Sequence, residues 1–310
     1  MNIIARIRAF IRRIAALPEK MYLVQEALGR IERRQVAQYC SRIEDAEFRV
    51  FSQWGEDGII QYLTHAIPIN RKIFVEFGVE NYTQANTRFL LTNDYWAGLV
   101  LDGSQENIAY LKKDVIYWGY NLKAECAFIT KDNINDLIRR NGIEGDIGLL
   151  SVDIDGNDYW VWKAIDCISP RIVICEYNGL WGPTAKVSTP YNPEFVRGRA
   201  HFSMVYYGAS ITALTDLAGK KGYSLVAGNE AGNNIFFVRN DLLGALRIVK
   251  PSEVYRQSAF RECHDESGNL TFEDFATRQR RVRSLDLYDL DSKSLKKVET
   301  IPGIITQAER

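Results

Sequence analysis

Paired cysteines, long apolar runs and an excess of either charge are all missing from this chain, and each absence removes a class of function. The five cysteines (Cys40, Cys126, Cys167, Cys175 and Cys263) form no C-x-x-C pair, and Cys175 lies inside an apolar run. An odd, scattered set of this kind argues for reduced, buried thiols and against a disulfide framework or a zinc site. No apolar run approaches the roughly 20 residues that span a bilayer, and no leader with a small-residue cleavage site opens the chain. Lys plus Arg number 39 and Asp plus Glu number 39, so no net field draws the protein to nucleic acid. Nucleophile elbow, P-loop and zinc-ligand spacings are missing as well. At 310 residues the length suits one large α/β domain with appendages, or two small ones. The expectation is a soluble or peripheral protein of the cytoplasm.

What is present is organised around one stretch. Ile73-Phe-Val-Glu-Phe77 is a β-branched and aromatic run carrying an acid, and Gly78 follows it. A second apolar run, Ala97-Gly-Leu-Val-Leu101, is closed by Asp102-Gly103. Between them, residues 83–93 predict a helix with Phe89, Leu90 and Leu91 on its buried side. Strand, glycine turn, helix, strand, acid is the opening of a nucleotide-binding βαβ unit. The first turn points backbone N–H groups at a ligand, and the acid after the second strand can accept hydrogen bonds from two ribose hydroxyls.

Residues 1–15 are unlike the rest. Ile3, Ile4, Ile7, Phe10, Ile11 and Ile14 recur at helical spacing, while Arg6, Arg8, Arg12 and Arg13 occupy the other face with no acid among them. Such a helix suits the interface of an anionic membrane, on the inner face of the cytoplasmic membrane; packing on the domain or on a second copy is the competing reading. Leu17-Pro18 ends it. A second helix is predicted over 19–38, where Met21, Val24, Leu28 and Ile31 form either a short coiled-coil seam or one stripe against a domain. Self-association through residues 1–40 is the simplest use for such an appendage. These helices define a segment 1–45, followed by a main domain 46–242 and an extension 243–310.

Within the main domain, helices are expected at 59–66, 104–118, 133–140, 159–165 and 211–221. Further strands are expected at 122–129, 146–152, 171–176, 223–226 and 234–238, with a Gly/Pro/Tyr-rich loop at 179–199. Five strand–helix alternations give a parallel sheet by right-handed crossover. The closing pair of strands has no helix between its members, which makes one of them antiparallel. The fold class is therefore α/β: a seven-stranded, mostly parallel, Rossmann-like methyltransferase sheet with an antiparallel last strand. It differs from the six parallel strands of a dinucleotide-binding dehydrogenase. Beyond Leu243 the chain is charged and weakly periodic, an extension wrapping the domain with 261–274 as an exposed loop.

Phe51-Ser-Gln-Trp-Gly-Glu-Asp57, Phe74-Val-Glu-Phe-Gly78, Asp102-Gly103 and Asp153-Ile-Asp-Gly156 together resemble the FkbM-type methyltransferase group over residues 50–242. The resemblance implies S-adenosylmethionine as cofactor. It implies Glu76 and Gly78 against the methionine part, Asp102 on the ribose, and Ser52 and Gln53 near the amino-acid end. The chain departs from the pattern after Gly78, where Val-Glu-Asn-Tyr-Thr-Gln-Ala-Asn replaces a compact second glycine, so the cofactor turn must be wider. It departs again at Asp155 and Asp158, where the pattern has Val-Glu-Gly and a later acid.

Strand ends of an open parallel sheet converge on one crevice. The fourth strand delivers Asp153 and Asp155, and the fifth Glu176 and Asn178. This oxygen-rich set suits a divalent ion, Mg²⁺ first, and catechol-type O-methyltransferases hold a metal at corresponding strand ends. A metal there would acidify and orient an acceptor hydroxyl. In the competing reading Asp153 caps the next helix or contacts the cofactor, and Asp158 is an early-turn acid. Candidate bases are Asp155, placed first, Glu176, and His201 beside Arg197 and Arg199. Tyr177, Trp181, Tyr191, Tyr206 and Tyr207 suit stacking on a sugar or a flat acceptor, with packing as the other fate of loop aromatics. The expected activity is S-adenosylmethionine-dependent O-methylation of a carbohydrate hydroxyl, on a glycan or small-molecule acceptor in cell-surface polysaccharide or glycoside biosynthesis. A metal-dependent hydroxylase-like enzyme of the same fold and a non-catalytic assembly module are the rivals.

Overall fold

The structure, a computed structural model, describes residues 3–304. Its centre is built from runs mostly too apolar to face water on either side, although the edge run 122–126 keeps Lys123 exposed. They form β1 (Ile73–Phe77), β2 (Ala97–Asp102), β3 (Leu122–Cys126), β4 (Gly145–Val152) and β5 (Ile168–Glu176). Next come the short β6 (Val187–Ser188), then β7 (Tyr223–Gly228) and β8 (Asn234–Arg239). Because strand side chains alternate, Val75, Phe77, Leu150 and Val173 enter one core, while Phe74, Val100, Leu149 and Ile172 enter the other.

The main sheet has seven strands in the order β3-β2-β1-β4-β5-β8-β7. Neighbours from β3 to β5 run parallel, and β8 is antiparallel to both β5 and β7. This is the seven-stranded, mostly parallel, Rossmann-like arrangement with an antiparallel last strand expected from the strand pattern. The chain leaves β1 in one direction, toward β2 and β3, and returns on the other side of β1 to form β4 and β5. That reversal opens a crevice outside the carboxyl ends of β1 and β4, the place where open α/β sheets bind ligands.

The helices are α1 (Ile3–Ala15), α2 (Leu17–Tyr39), α3 (Glu56–Ala66), α4 (Arg88–Asp94), α5 (Gln105–Leu111), α6 (Val115–Gly119), α7 (Ile134–Arg140), α8 (Asp158–Ala164), α9 (Arg197–Ala200) and α10 (Ile211–Lys220). Several differ from expectation for local reasons. The helix expected over 83–93 shrinks to α4, because the Glu76 carboxylate accepts the backbone N–H groups of Asn86 (2.8 Å) and Thr87 (3.1 Å) and pins that segment as a loop. Residues 104–118 split into α5 and α6, since Asp114 accepts the N–H of Ile116 and starts a new helix. The third strand stops at Cys126 rather than running to residue 129.

α2 seats on the domain through Gly29, where an added Cβ would lie 2.5 Å from Val50 and 3.0 Å from Phe89. Arg33 pairs with Asp94 at 3.1 Å. The 3-4-3 stripe of α2 faces away from that seat: Met21, Val24, Leu28 and Ile31 are 70%, 60%, 58% and 49% exposed. The stripe-against-a-domain reading is thereby corrected. Ile7, Phe10, Ile11 and Ile14 are exposed along α1; the side chains of Ile3 and Ile4 lie outside the described residues. No helix among the described residues is long and apolar enough to cross a membrane.

The stretch expected as the loop 179–199 carries β6 and α9. With α11 (Pro251–Val254), α12 (Phe275–Val282), β9 (Asp286–Asp289) and β10 (Ser294–Lys297), the extension meets it in a second sheet ordered β10-β9-β6. Leu180, Trp181, Val187 and Val205 share a core with Cys263, Val282, Leu287 and Val298. The apolar residues of the extension are too widely spaced to read as periodic, yet they close over the loop.

Candidate active site

The loop before α3 is shaped by two buried acids. Asp57 Oδ2 accepts the N–H groups of Val50 (2.7 Å), Phe51 (2.7 Å) and Ser52 (2.8 Å) and the Ser52 hydroxyl (2.9 Å). Burial pushes this carboxyl up to about 6, against those hydrogen bonds, which pull the other way. Glu56 accepts from Trp54 N (2.9 Å) and from the amides of Asn229 (2.7 Å) and Asn234 (2.9 Å). The resulting loop presents Gln53 to a cleft of about 740 Å³ at the sheet's reversal point. Ser52 does not line that cleft; its hydroxyl is committed to Asp57, so its expected place near the cofactor is corrected.

Gly78 sits where only glycine fits. Its φ is +67°, and a Cβ would lie 1.7 Å from the carbonyl oxygen of Asp153, so the β1 and β4 turns touch backbone to backbone. Glu76 and Asp102 flank this turn in the cleft wall. Burial raises the Glu76 carboxyl to about 7, although its bonds to Thr87 and Asn86 oppose the rise. Asp102 Oδ2 accepts Glu80 N (2.8 Å), and Oδ1 accepts Ser104 N (2.8 Å) and Asn107 Nδ2 (3.4 Å). The carboxylate thus holds the β1 turn and the start of α5 together while facing the cleft. In the segment after Gly78, Glu80 and Tyr82 adopt left-handed φ of 48° and 64°.

At the other end of the cleft, Asp153, Asp155 and Glu176 each bring a carboxylate oxygen within 4.8 Å of the others. Asp155 holds a left-handed φ of 54° and pairs with Arg197 Nη1 at 2.8 Å. Glu176 is 7% exposed, and its Oε2 has no hydrogen-bond partner among the described residues. Burial first, then the charges of Asp155 and Asp158, hold the Asp153 carboxyl well above the usual carboxylate range. Burial, then Asp153 and Asp155, do the same to Glu176. Arg197 also reaches Glu262 at 3.0 Å and lies 4.2 Å over the Tyr207 ring.

Asn178, expected among the ligands, and His201, expected as a candidate base, stand elsewhere. Asn178 is no ligand: its amide donates to Val205 O and Tyr207 O (3.0 Å each), and its oxygen accepts Leu180 N (3.0 Å), capping the turn after β5. His201 does not line the cleft; its Nδ1 contacts the Ser203 hydroxyl at 2.6 Å and its ring lies 4.3 Å from that of Phe202. Asp158 is structural, accepting Ile154 N (2.8 Å) and Gly156 N (2.9 Å) to shape the turn after β4.

The five aromatics expected as a stacking platform serve packing. The Tyr177 hydroxyl donates to Arg256 O (3.1 Å) and Trp181 Nε1 to Tyr207 O (3.0 Å), the Tyr206 hydroxyl bonds Asp286 O, and Tyr191 bonds Asp132 (3.2 Å). None of them, nor Tyr207, lines the cleft, where Phe128, Phe195 and Phe260 stand instead. Phe260 stacks on Trp54 with centroids 6.4 Å apart. Arg197, Glu262 and Phe260 escaped the sequence reading because their place at the cleft depends on the extension folding back over it. Arg197 left one signal, its position in the covering loop.

One wall of the cleft therefore offers a polar cradle of Gln53, Glu76, Gly78 and Asp102, and the other offers acids with a single guanidinium among them. No protein-family model and no curated protein matches the chain. Among solved structures, the N-terminal domain of EvdMO1 with SAH bound is similar at 13% identity, over 70% of this chain and 97% of that one, with a TM-score of 0.41. The same domain in the presence of SAH and D-fucose gives 14% identity over 70% of this chain and 97% of that one, with a TM-score of 0.39. An S-adenosylmethionine-dependent methyltransferase from Clostridium acetobutylicum is similar at 10% identity over 54% of this chain and 83% of that one, with a TM-score of 0.34. Likenesses at these scores carry no argument about chemistry, which rests on the cleft itself.

Proposed function

We propose that this protein is an S-adenosylmethionine-dependent O-methyltransferase of the FkbM type, acting on a hydroxyl of a carbohydrate or a similarly polar small acceptor. The observation that carries the reading is Asp102: a carboxylate at the end of the second strand, facing a cleft at the sheet's reversal point beside a glycine turn. This is the arrangement that holds a ribose in nucleotide-binding α/β folds. Gln53, Glu76 and Gly78 line the same wall and would meet the amino-acid end. When bound, the sulfonium supplies an activated methyl group.

The chain's own task is then to hold an acceptor hydroxyl in line and take its proton. Asp155 is tied to Arg197, so it is less suited to the base role than its spacing implied. Glu176 offers a buried oxygen with no donor, where an incoming hydroxyl can bond. The polar, acid-lined end of the cleft favours a polyhydroxylated acceptor over an apolar one. Residues 1–15 would bring the protein to an anionic membrane surface, where a lipid-linked glycan is within reach; the support is the exposed face of Ile7, Phe10, Ile11 and Ile14 on a helix without acids.

Calorimetric titration with S-adenosylhomocysteine, using NADH as comparator, tests the reading. Saturable binding of S-adenosylhomocysteine supports it, and binding of the dinucleotide alone overturns it.

A further inference from the structure

Clustered acids alone say little about a ligand, but the group at the ends of β4 and β5 comes with a second observation. Glu176 is more than nine-tenths buried, lines the cleft, and leaves Oε2 without any donor. A buried carboxylate oxygen is costly to leave empty. Asp153, beside it, makes no side-chain hydrogen bond or ion pair among the described residues, and its oxygen lies within 4.8 Å of those of Glu176 and Asp155. The neighbouring cation is committed elsewhere. Arg197 spends Nη1 on Asp155, Nη2 on Glu262 and Nε on the Met204 carbonyl, with its face against Tyr207. Among the described residues, none of its nitrogens bonds Asp153 or Glu176.

We propose that Asp153, Asp155 and Glu176 bind one hard divalent cation, Mg²⁺ or Mn²⁺, and that Arg197 yields Asp155 to it while keeping Glu262. Carboxylate oxygens are the ligands such ions prefer. Bonds of about 2.1 Å put neighbouring oxygens of an octahedral ion about 3.0 Å apart and opposite ones about 4.2 Å, so the triad must close around the ion. Asp155 is the ligand free to move: its side chain is half exposed, whereas that of Arg197 is largely covered. The ion would stand at the acceptor end of the cleft, suited to two neighbouring hydroxyls of a sugar. That role rests on the methyl-transfer reading; the binding itself does not.

The test is Mn²⁺ titration of the full chain followed by electron paramagnetic resonance, with Mg²⁺ as competitor and S-adenosylhomocysteine calorimetry on the same samples. One Mn²⁺ per chain is expected, displaced by Mg²⁺. Affinity should fall about tenfold or more in Glu176→Gln and in Asp153→Asn, stay unchanged in the remote Glu106→Gln, and rise in Arg197→Gln, which frees Asp155. Unfolding midpoints establish that each variant is folded; Glu176→Gln removes a buried charge and keeps the shape, so it should hold its fold. Failure of the wild-type chain to bind Mn²⁺ up to about 1 mM, or equal binding by wild type and folded Glu176→Gln, overturns the site. Loss of Mn²⁺ binding with intact S-adenosylhomocysteine binding defeats the ion alone, and the reverse defeats methyl transfer alone.

Discussion

Replacing Asp102 separates a ligand-binding role from a merely architectural one. The carboxylate already accepts Glu80 N and Ser104 N at 2.8 Å each and the Asn107 amide at 3.4 Å, but an ionised carboxylate has about four lone-pair sites, so one site remains on the side facing the cleft and a second opens when a ligand hydroxyl displaces the long Asn107 contact. Two ribose hydroxyls donating to it would make charge-assisted bonds of about 1.5–3 kcal/mol each. Asp102→Asn keeps the shape and one acceptor oxygen while removing the charge and one acceptor. A net loss of about 2–3 kcal/mol is then expected, or roughly a hundredfold in the affinity for S-adenosylhomocysteine at 1.4 kcal/mol per tenfold. Asp102→Ala should lose at least as much. Asp102→Asn also deprives one backbone N–H of its acceptor and Asp102→Ala two, at a stability cost of about 1 kcal/mol per bond, and chemical denaturation measures that part. The two effects part company when adenosine and methionine are titrated separately: adenosine binding should weaken in step with S-adenosylhomocysteine, and methionine should not notice. A variant that unfolds more easily yet binds S-adenosylhomocysteine within about twofold of wild type would show a carboxylate that only ties two loops together, and the ribose assignment would be wrong.

Gly78→Ala forces a Cβ to within 1.7 Å of the Asp153 carbonyl at a φ of +67°, so the turns after β1 and β4 must separate; a stability loss of about 2 kcal/mol or more with abolished S-adenosylhomocysteine binding is expected, and wild-type stability in urea would contradict it. Glu76 is raised from its ordinary 4.5 to about 7 by burial. The folded state therefore holds this proton longer than the unfolded one, and stability falls as pH rises through that window, by about 3 kcal/mol in order of magnitude. Glu76→Gln should flatten the slope between about pH 4.5 and 7, whatever its absolute stability, and an unchanged slope would refute the cause. Deleting residues 1–15 should release the protein from phosphatidylserine-containing vesicles while leaving weak binding to neutral ones unaltered. Equal vesicle binding by both forms would discard the membrane role, and a halved solution mass on deletion would point to a second copy on that face.

The sheet was legible because its strands are buried on both faces, which leaves a direct trace in composition: Ile73 to Phe77 and Ala97 to Leu101 are apolar without alternation, apart from Glu76. Much of the candidate site was legible where a residue's type and its place at a strand end coincide, as at Glu76, Gly78, Asp102, Asp153, Asp155 and Glu176, and Gln53 through the motif that runs from Phe51 to Asp57. Asn178 and His201 show where that logic runs out. Each stands close in sequence to the right strand or loop, but its polar atoms turn to backbone or hydroxyl partners within the covering segment. Arg197 and Phe260 illustrate the opposite case: only its position in the covering loop marks Arg197, nothing local marks Phe260, and both reach the cleft through long-range packing. The loop aromatics misled for a related reason: an aromatic ring in a polar stretch looks like a ligand platform until an extension supplies the apolar core that buries it.

Among the acids around this cleft, what distinguishes architecture from chemistry is the combination of a free oxygen and a face on the cavity. Asp57 leaves Oδ1 without a partner, yet it lies outside the cleft lining and its other oxygen gathers three backbone N–H groups and a hydroxyl. Asp158 is fully buried and closes a turn with both oxygens. Glu76 and Asp102 line the cleft, but backbone donors already occupy both oxygens of each, which fits groups that hold a ligand rather than exchange a proton. Glu176 alone of these five combines a buried, unpartnered oxygen with a place in the cleft wall. Such an oxygen needs a donor or a cation, and among the described residues none supplies either. On the proposed reading an acceptor hydroxyl or a divalent ion completes it, which would put the chemistry at the end of β5.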